Sequence, residues 1–200
     1  MPFRIGRVVS LALFLFLSGR VFAQTNWVTG NTGTFDLNTG TFDDRWSTAT
    51  NWDAGVPTSG TLARIGFGTT PGTALIDSTV SATASQLIVS NAAAGAGTLV
   101  MTGGDLTSVG TYDIGGNAAS GAGANGTLLL SGGTITASAG SINVGYANAN
   151  STATTFGNVN MSGGTIILST NTQRFNIGVR GNATLNMTVG VINTYGETLT

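Results

Sequence analysis

The sequence predicts an all-β fold: a parallel β-helix (β-solenoid) of degenerate glycine-rich coils behind an N-terminal tryptophan-rich cap. Three observations predict it. A ten-residue unit at 97–106, reading Gly-Thr-Leu-Val-Met-Thr-Gly-Gly-Asp-Leu, returns at 126–135 and 157–166, with a decayed copy at 182–192. A short apolar–polar–apolar strand falls between the copies, as Leu87-Ile88-Val89, Tyr112-Asp113-Ile114, Ile142-Asn143-Val144 and Phe175-Asn176-Ile177. The length that varies lies just after that strand, in runs of Ala, Asn, Gly, Ser and Thr with the chemistry of loops.

Each part of the unit has a physical reading. Leu99 and Met101, or Val159 and Met161, share a face because side chains alternate along a strand. The Gly-Gly pair admits backbone conformations closed to other residues, so the chain turns a corner there. A β-branched strand such as Thr134-Ile135-Thr136 follows, then a second bend, then the short strand. Three strands and three corners make one triangular coil. A lone coil buries almost nothing; stacking buries the inward ladder and pairs the backbone donors and acceptors. The third positions of the short strand, Val89, Ile114, Val144 and Ile177, are 25, 30 and 33 residues apart, so the period drifts with loop length. An antiparallel β-sandwich also accommodates many short strands, but it does not require one motif to recur in register, as a solenoid does.

The N-terminus reads as an export signal over residues 1–23. Arg4 and Arg7 precede an apolar run over 8–17, and Val21-Phe22-Ala23 fits a cleavage site that leaves Gln24 as the first mature residue. The apolar run is about half the roughly 20 residues a membrane span needs, and no later stretch is long enough. Residues 24–71 are expected to form the cap. They hold all three tryptophans, and five of the eight acids lie between Asp36 and Asp77. The coils are expected over 72–200.

The chain contains no cysteine and no histidine. Disulfide staples, the usual zinc, iron and copper ligand sets and Ser-His or Cys-His nucleophiles are therefore ruled out. After Ala23 four arginines face eight acids, a net charge of −4, with none of the basic footprint of a nucleic-acid binder. No cofactor is predicted. Many parallel β-helices cut polysaccharides with clustered carboxylates, and the acids to weigh here are Asp77, Asp105, Asp113 and Glu197. Asp105 and Asp113 stand about a strand and a corner apart; the plainer expectation leaves both solvated. In the cap, Asp43, Asp44, Arg45 and Asp53 offer a metal or sugar site, with Trp46 and Trp52 as stacking platforms; the plainer reading makes the tryptophans cap core. The Thr-x-Thr of 134–136 breaks down in the other copies, so no ice-binding array is expected.

Trp46-Ser47-Thr48-Ala49-Thr50-Asn51-Trp52, followed by Gly55-Val56-Pro57, resembles the opening of large secreted bacterial proteins. Those proteins carry autotransporter-associated β-strand repeats, and some end in a PEP-CTERM sorting tail. The Met-Ser-Gly-Gly-Thr-Ile units resemble the repeat itself. The resemblance implies a passenger-type β-helix or cell-surface stalk, exported to the outer surface or beyond. The functions of such proteins are mostly unassigned. The repeat, the export signal and the missing catalytic residue types lead to the expectation of a non-catalytic structural or adhesive role, with extracellular matrix, polysaccharide or a host surface as partner. A carbohydrate-active β-helix and carbohydrate binding through the cap are the alternatives. The stretch 195–200 stops within a repeat, with no sorting tail or translocating barrel, and the array is expected to continue or to remain monomeric.

Overall fold

The computed structural model describes residues 23–28, 44–69, 71–91, 95–116, 123–147, 154–195 and the backbone of 197–199. The expected export signal, apart from Ala23, lies outside these residues, as do Asp36, Asp43 and most of the variable loops. The strands are β1 (Ala23–Asn26), β2 (Thr61–Ile65), β3 (Gly72–Ile76), β4 (Ser81–Ala84), β5 (Gln86–Val89), β6 (Gly97–Ser108) and β7 (Tyr112–Ile114). They continue as β8 (Asn125–Ala137), β9 (Ile142–Val144), β10 (Phe156–Leu168), β11 (Phe175–Ile177), β12 (Asn182–Thr194) and β13 (Glu197–Leu199). A 3-10 turn spans Ala49–Asn51, and among the described residues no helix is long and apolar enough to cross a membrane.

The chain is a parallel β-solenoid. One sheet runs β1-β2-β5-β7-β9-β11 and the other β13-β12-β10-β8-β6-β3, with β4 beside the second half of β6. Every pairing between named strands is parallel except β12 with β13. The repeats stack in the register their sequences align in: Leu99 on Leu128 on Val159 on Leu185. The long strands are folded at the Gly-Gly pair, where the ladder slips between Met101 and Asp105 and between Met161 and Thr165. In the first coil the same path is split into β3 and β4.

Inward residues come from all three walls. Leu128, Leu130 and Ile135 of β8 meet Leu87, Val89 and Tyr112 of the short strands in one buried cluster. A gap of about 10 Å³ among them is at the lower limit for one water, so this part of the core is dry and filled. Tyr112 spans the interior; its hydroxyl lies 3.0 Å from the Leu106 carbonyl and 2.8 Å from that of Thr136.

Two corners demand unusual backbone. Gly133 has φ +85°, and a Cβ there would stand 2.5 Å from the carbonyl oxygens of both Gly103 and Gly104. The coil below is therefore what forbids a side chain at the Gly-Gly bend. After each short strand a second left-handed residue turns the chain, as at Gly115 and Gly145, but in the second coil it is Ser90, φ 64°. Ser90 offsets the strain with its side chain: Oγ donates to the Gly95 carbonyl (2.7 Å) and accepts from the Asn125 N–H (2.9 Å).

The ladder also reaches into the segment expected to be only a cap. β2 is a short strand of a first coil, paired with β5, and β1 lies on its outer side. On the other sheet, the Trp46 N–H donates to the Leu75 carbonyl (2.9 Å) and the Leu75 N–H to the Asp44 carbonyl (2.8 Å). Both sheets thus have their first edge covered, which removes a template for unwanted strand pairing.

Candidate functional site

The residues singled out in the sequence come to three separate places. The first is the cap. Trp27, Trp46 and Trp52 are all buried, Trp46 at 1% and Trp52 at 3% exposure. Trp52 packs edge-on against Trp27 (ring centroids 5.0 Å) and Trp46 (4.8 Å), and its indole N–H donates to the Trp46 carbonyl (2.8 Å). Neither ring of the pair Trp46 and Trp52 has an open face for a sugar, so the stacking-platform expectation is corrected. Packing wins because three adjacent indoles bury more apolar area together than each would on a solvated surface.

Asp53 is exposed and engaged with β1. Its Oδ1 accepts from the Asn26 N–H (2.7 Å) and the Thr25 hydroxyl (3.3 Å), and its Oδ2 from the Asn26 amide (2.7 Å). Slight burial raises its pKa, but these hydrogen bonds more than offset that and hold the carboxyl below its ordinary value. Arg45 pairs with Asp77 instead of Asp53, Nε to Oδ2 3.1 Å. Asp53 therefore ties β1 to the Trp52 turn.

The second place is the outer side of the short-strand sheet, where Ile88, Asp113, Asn143 and Asn176 follow one another in register. Asp113 is only 4% exposed; the expectation that it is solvated is corrected. Its Oδ1 accepts from the Asn143 amide (2.8 Å), and its Oδ2 from the Gln86 amide (2.8 Å) and the Thr111 hydroxyl (3.1 Å). The Asn176 amide in turn donates to Asn143 Oδ1 (2.8 Å), extending the ladder by one coil. Burial pushes the Asp113 pKa up, and the three donated hydrogen bonds only partly counter it. Asp105 is exposed on β6 between Ser81 and Thr134, on the other sheet. Asp77 sits at the corner after β3. Asp113 lies on a different sheet from Asp105, Asp77 is taken up by Arg45, and among the described residues no three His, Cys, Asp or Glu side chains are placed to hold a metal.

The third place was not read from the sequence. On the outward side of the long strands lies an open trough of about 480 Å³. One wall is the row Val100, Leu129, Asn160 and Asn186; the other is Thr102, Ser131, Ser162 and Thr188. The Asn186 amide donates to Asn160 Oδ1 (2.9 Å), while Ser131 and Thr188 donate across the coil boundary to the carbonyls of Met101 (3.2 Å) and Met161 (3.3 Å). Strand alternation within the aligned copies was the available signal, because it places these positions opposite the inward Leu and Met.

No protein-family model, curated protein or solved structure matches the chain.

Proposed function

We propose that this chain is a non-catalytic structural or adhesive β-solenoid of the extracellular space or outer cell surface. In this reading it is a rigid stalk or passenger of the kind that autotransporter-associated repeats form. The observation that carries the reading is the register: β6, β8, β10 and β12 present equivalent residues to the same walls, coil after coil. A stack of this kind serves reach and rigidity. Its acids support the reading too, since Asp77 is held by Arg45, Asp113 is buried among amides, and Asp105 is exposed on the other sheet from Asp113. Export is supported by the charged start, apolar run and Ala23 site of the N-terminus. The partners that suit it are matrix, polysaccharide or a host surface, met along the walls and loops.

The test is expression from Met1 in a bacterium, followed by N-terminal sequencing, protease accessibility on intact cells, and adhesion of the purified protein to matrix-coated surfaces. The expected product begins at Gln24, lies outside the cytoplasm, adheres, and releases no reducing ends from polysaccharides. Cytoplasmic retention overturns the reading, as does glycan cleavage that Asp105→Ala or Asp113→Ala abolishes.

A further inference from the structure

None of the residues of β8, β10 and β12 is ionisable, although these strands form a broad, solvated sheet face. Soluble surfaces ordinarily mix charges at every few positions, so a face without any needs a reason. The trough lies on this face. It crosses four strands at right angles to their direction, a length of three strand spacings or about 14 Å. Leu130 and Met161 line it between the two rows, and the β10–β12 ladder slips beside it, between Met161 and Ser162.

We propose that this trough binds an uncharged polysaccharide chain lying along the solenoid axis. The inference rests on the surface-contact reading above and names the site and the ligand class. Its volume falls within the roughly 300–1,000 Å³ of ligand sites. Val100 and Leu129, the latter 38% exposed, offer an apolar strip to sugar C–H faces. Hydroxyls and amides of the facing rows offer donors and acceptors to sugar hydroxyls. The groups repeat once per coil, at about 4.8 Å, and a β-linked pyranose chain advances by a similar distance per residue. The match is therefore to a polymer, one sugar per coil. With no cation in the lining, nothing neutralises a phosphate or an acidic polysaccharide. A second protein is a poorer fit, since protein interfaces are enriched in aromatic residues and Arg, and the lining has neither.

The experiment is calorimetry on the mature chain with hexaoses of β-1,4-linked glucose, xylose and N-acetylglucosamine, at low salt and at about 1 M salt. At least one hexaose is expected to bind with an affinity that salt leaves unchanged. Leu129→Arg, which fills the trough from an exposed position, is expected to weaken binding by at least about tenfold; Asn160→Ala is expected to weaken it in the same direction. Thr136→Arg, on the other half of β8, leaves it unchanged, and circular dichroism checks that all three variants fold. The proposal is overturned if no hexaose binds, if binding survives Leu129→Arg in a folded protein, or if sedimentation finds a dimer that this substitution dissociates. Absence of hexaose binding in a protein that still adheres to matrix removes the trough inference and leaves the adhesive role standing. Hexaose cleavage with binding that Leu129→Arg abolishes removes the non-catalytic reading and leaves the trough.

Discussion

At the first coil, Trp46 and Trp52 stand against the stack with Trp27 beside them, and each is almost fully buried. At the last described coil, Leu185 and Met187 occupy the same inward rows as Leu128 and Leu130 but are only half-buried. The residue types are equally apolar, so the difference lies in neighbours. A coil in the middle is covered on both sides, the first has indoles for its outer cover, and the last has β11 and β12 resting on one neighbour plus three antiparallel residues of β13. Stability in such a stack is close to a sum over interfaces between adjacent coils. Equivalent substitutions should therefore cost different amounts according to which interfaces they touch.

The sealed end gives the largest expected effect. Trp46→Ala removes a buried indole and leaves the Trp52 ring without its 4.8 Å partner, at a cost of about 4 kcal/mol in urea unfolding. A loss below about 1 kcal/mol would mean that the indoles are an ornament on a first coil that holds itself. The inward ladder comes next. Leu128→Ala, in the covered middle, is expected to cost about 3 kcal/mol, and its register equivalent Leu185→Ala about 1 kcal/mol. Equal costs would break the comparison between middle and end.

The corners repeat the contrast in backbone terms. Gly133→Ala drives a Cβ against two carbonyl oxygens of the coil below while keeping φ at +85°, at an expected cost of about 3 kcal/mol. Gly178 has φ +72°, but a Cβ there meets only the Gly181 carbonyl, at 3.4 Å. Gly178→Ala should cost about 1 kcal/mol, the conformational strain alone. Thermal or urea midpoints of the two variants separate strain from crowding.

The same contrast explains what was legible in the sequence. The copies at 97, 126 and 157 align as their strands pair, because a parallel stack puts like residues on top of one another. The short strand that opens the first coil, β2, escaped because the β3–β4 path that follows it lacks the Gly-Gly bend that marks the later copies. Its trace was Ala63-Arg64-Ile65-Gly66, the apolar–polar–apolar–Gly pattern of β7 and β9 inside a segment coloured by its tryptophans. The burial of Asp113 was not legible, since strand alternation tells which side a residue takes but not what lies over that side. Ile88, at an outward position yet 1% exposed, is the one sign in the neighbouring coil that this side is covered.

That covered side yields the smallest expected effect, in pH dependence. Asp113 in mid-stack and Asp53 at the sealed end are perturbed in opposite directions, upward and downward. For Asp113 the folded pKa lies above the unfolded value of about 3.9. Between the two, the folded chain binds more protons than the unfolded one, so stability falls as pH rises. The Asp113 contribution is complete below about pH 3.9 and is lost as pH climbs through the raised folded value. Asp53 works in reverse, its contribution present above its unfolded value and lost on acidification. Asp113→Asn isolates the first effect, because an amide in that position joins the Asn143–Asn176 ladder without titrating. The melting temperature of the wild type minus that of Asp113→Asn should grow as pH is lowered from neutrality toward the unfolded carboxylate value. A difference that shrinks over that interval would mean that the amides from Gln86 and Asn143 and the Thr111 hydroxyl stabilise the carboxylate by more than its burial costs. The ladder would then have to be read as a charge-holding device instead of a buried seam.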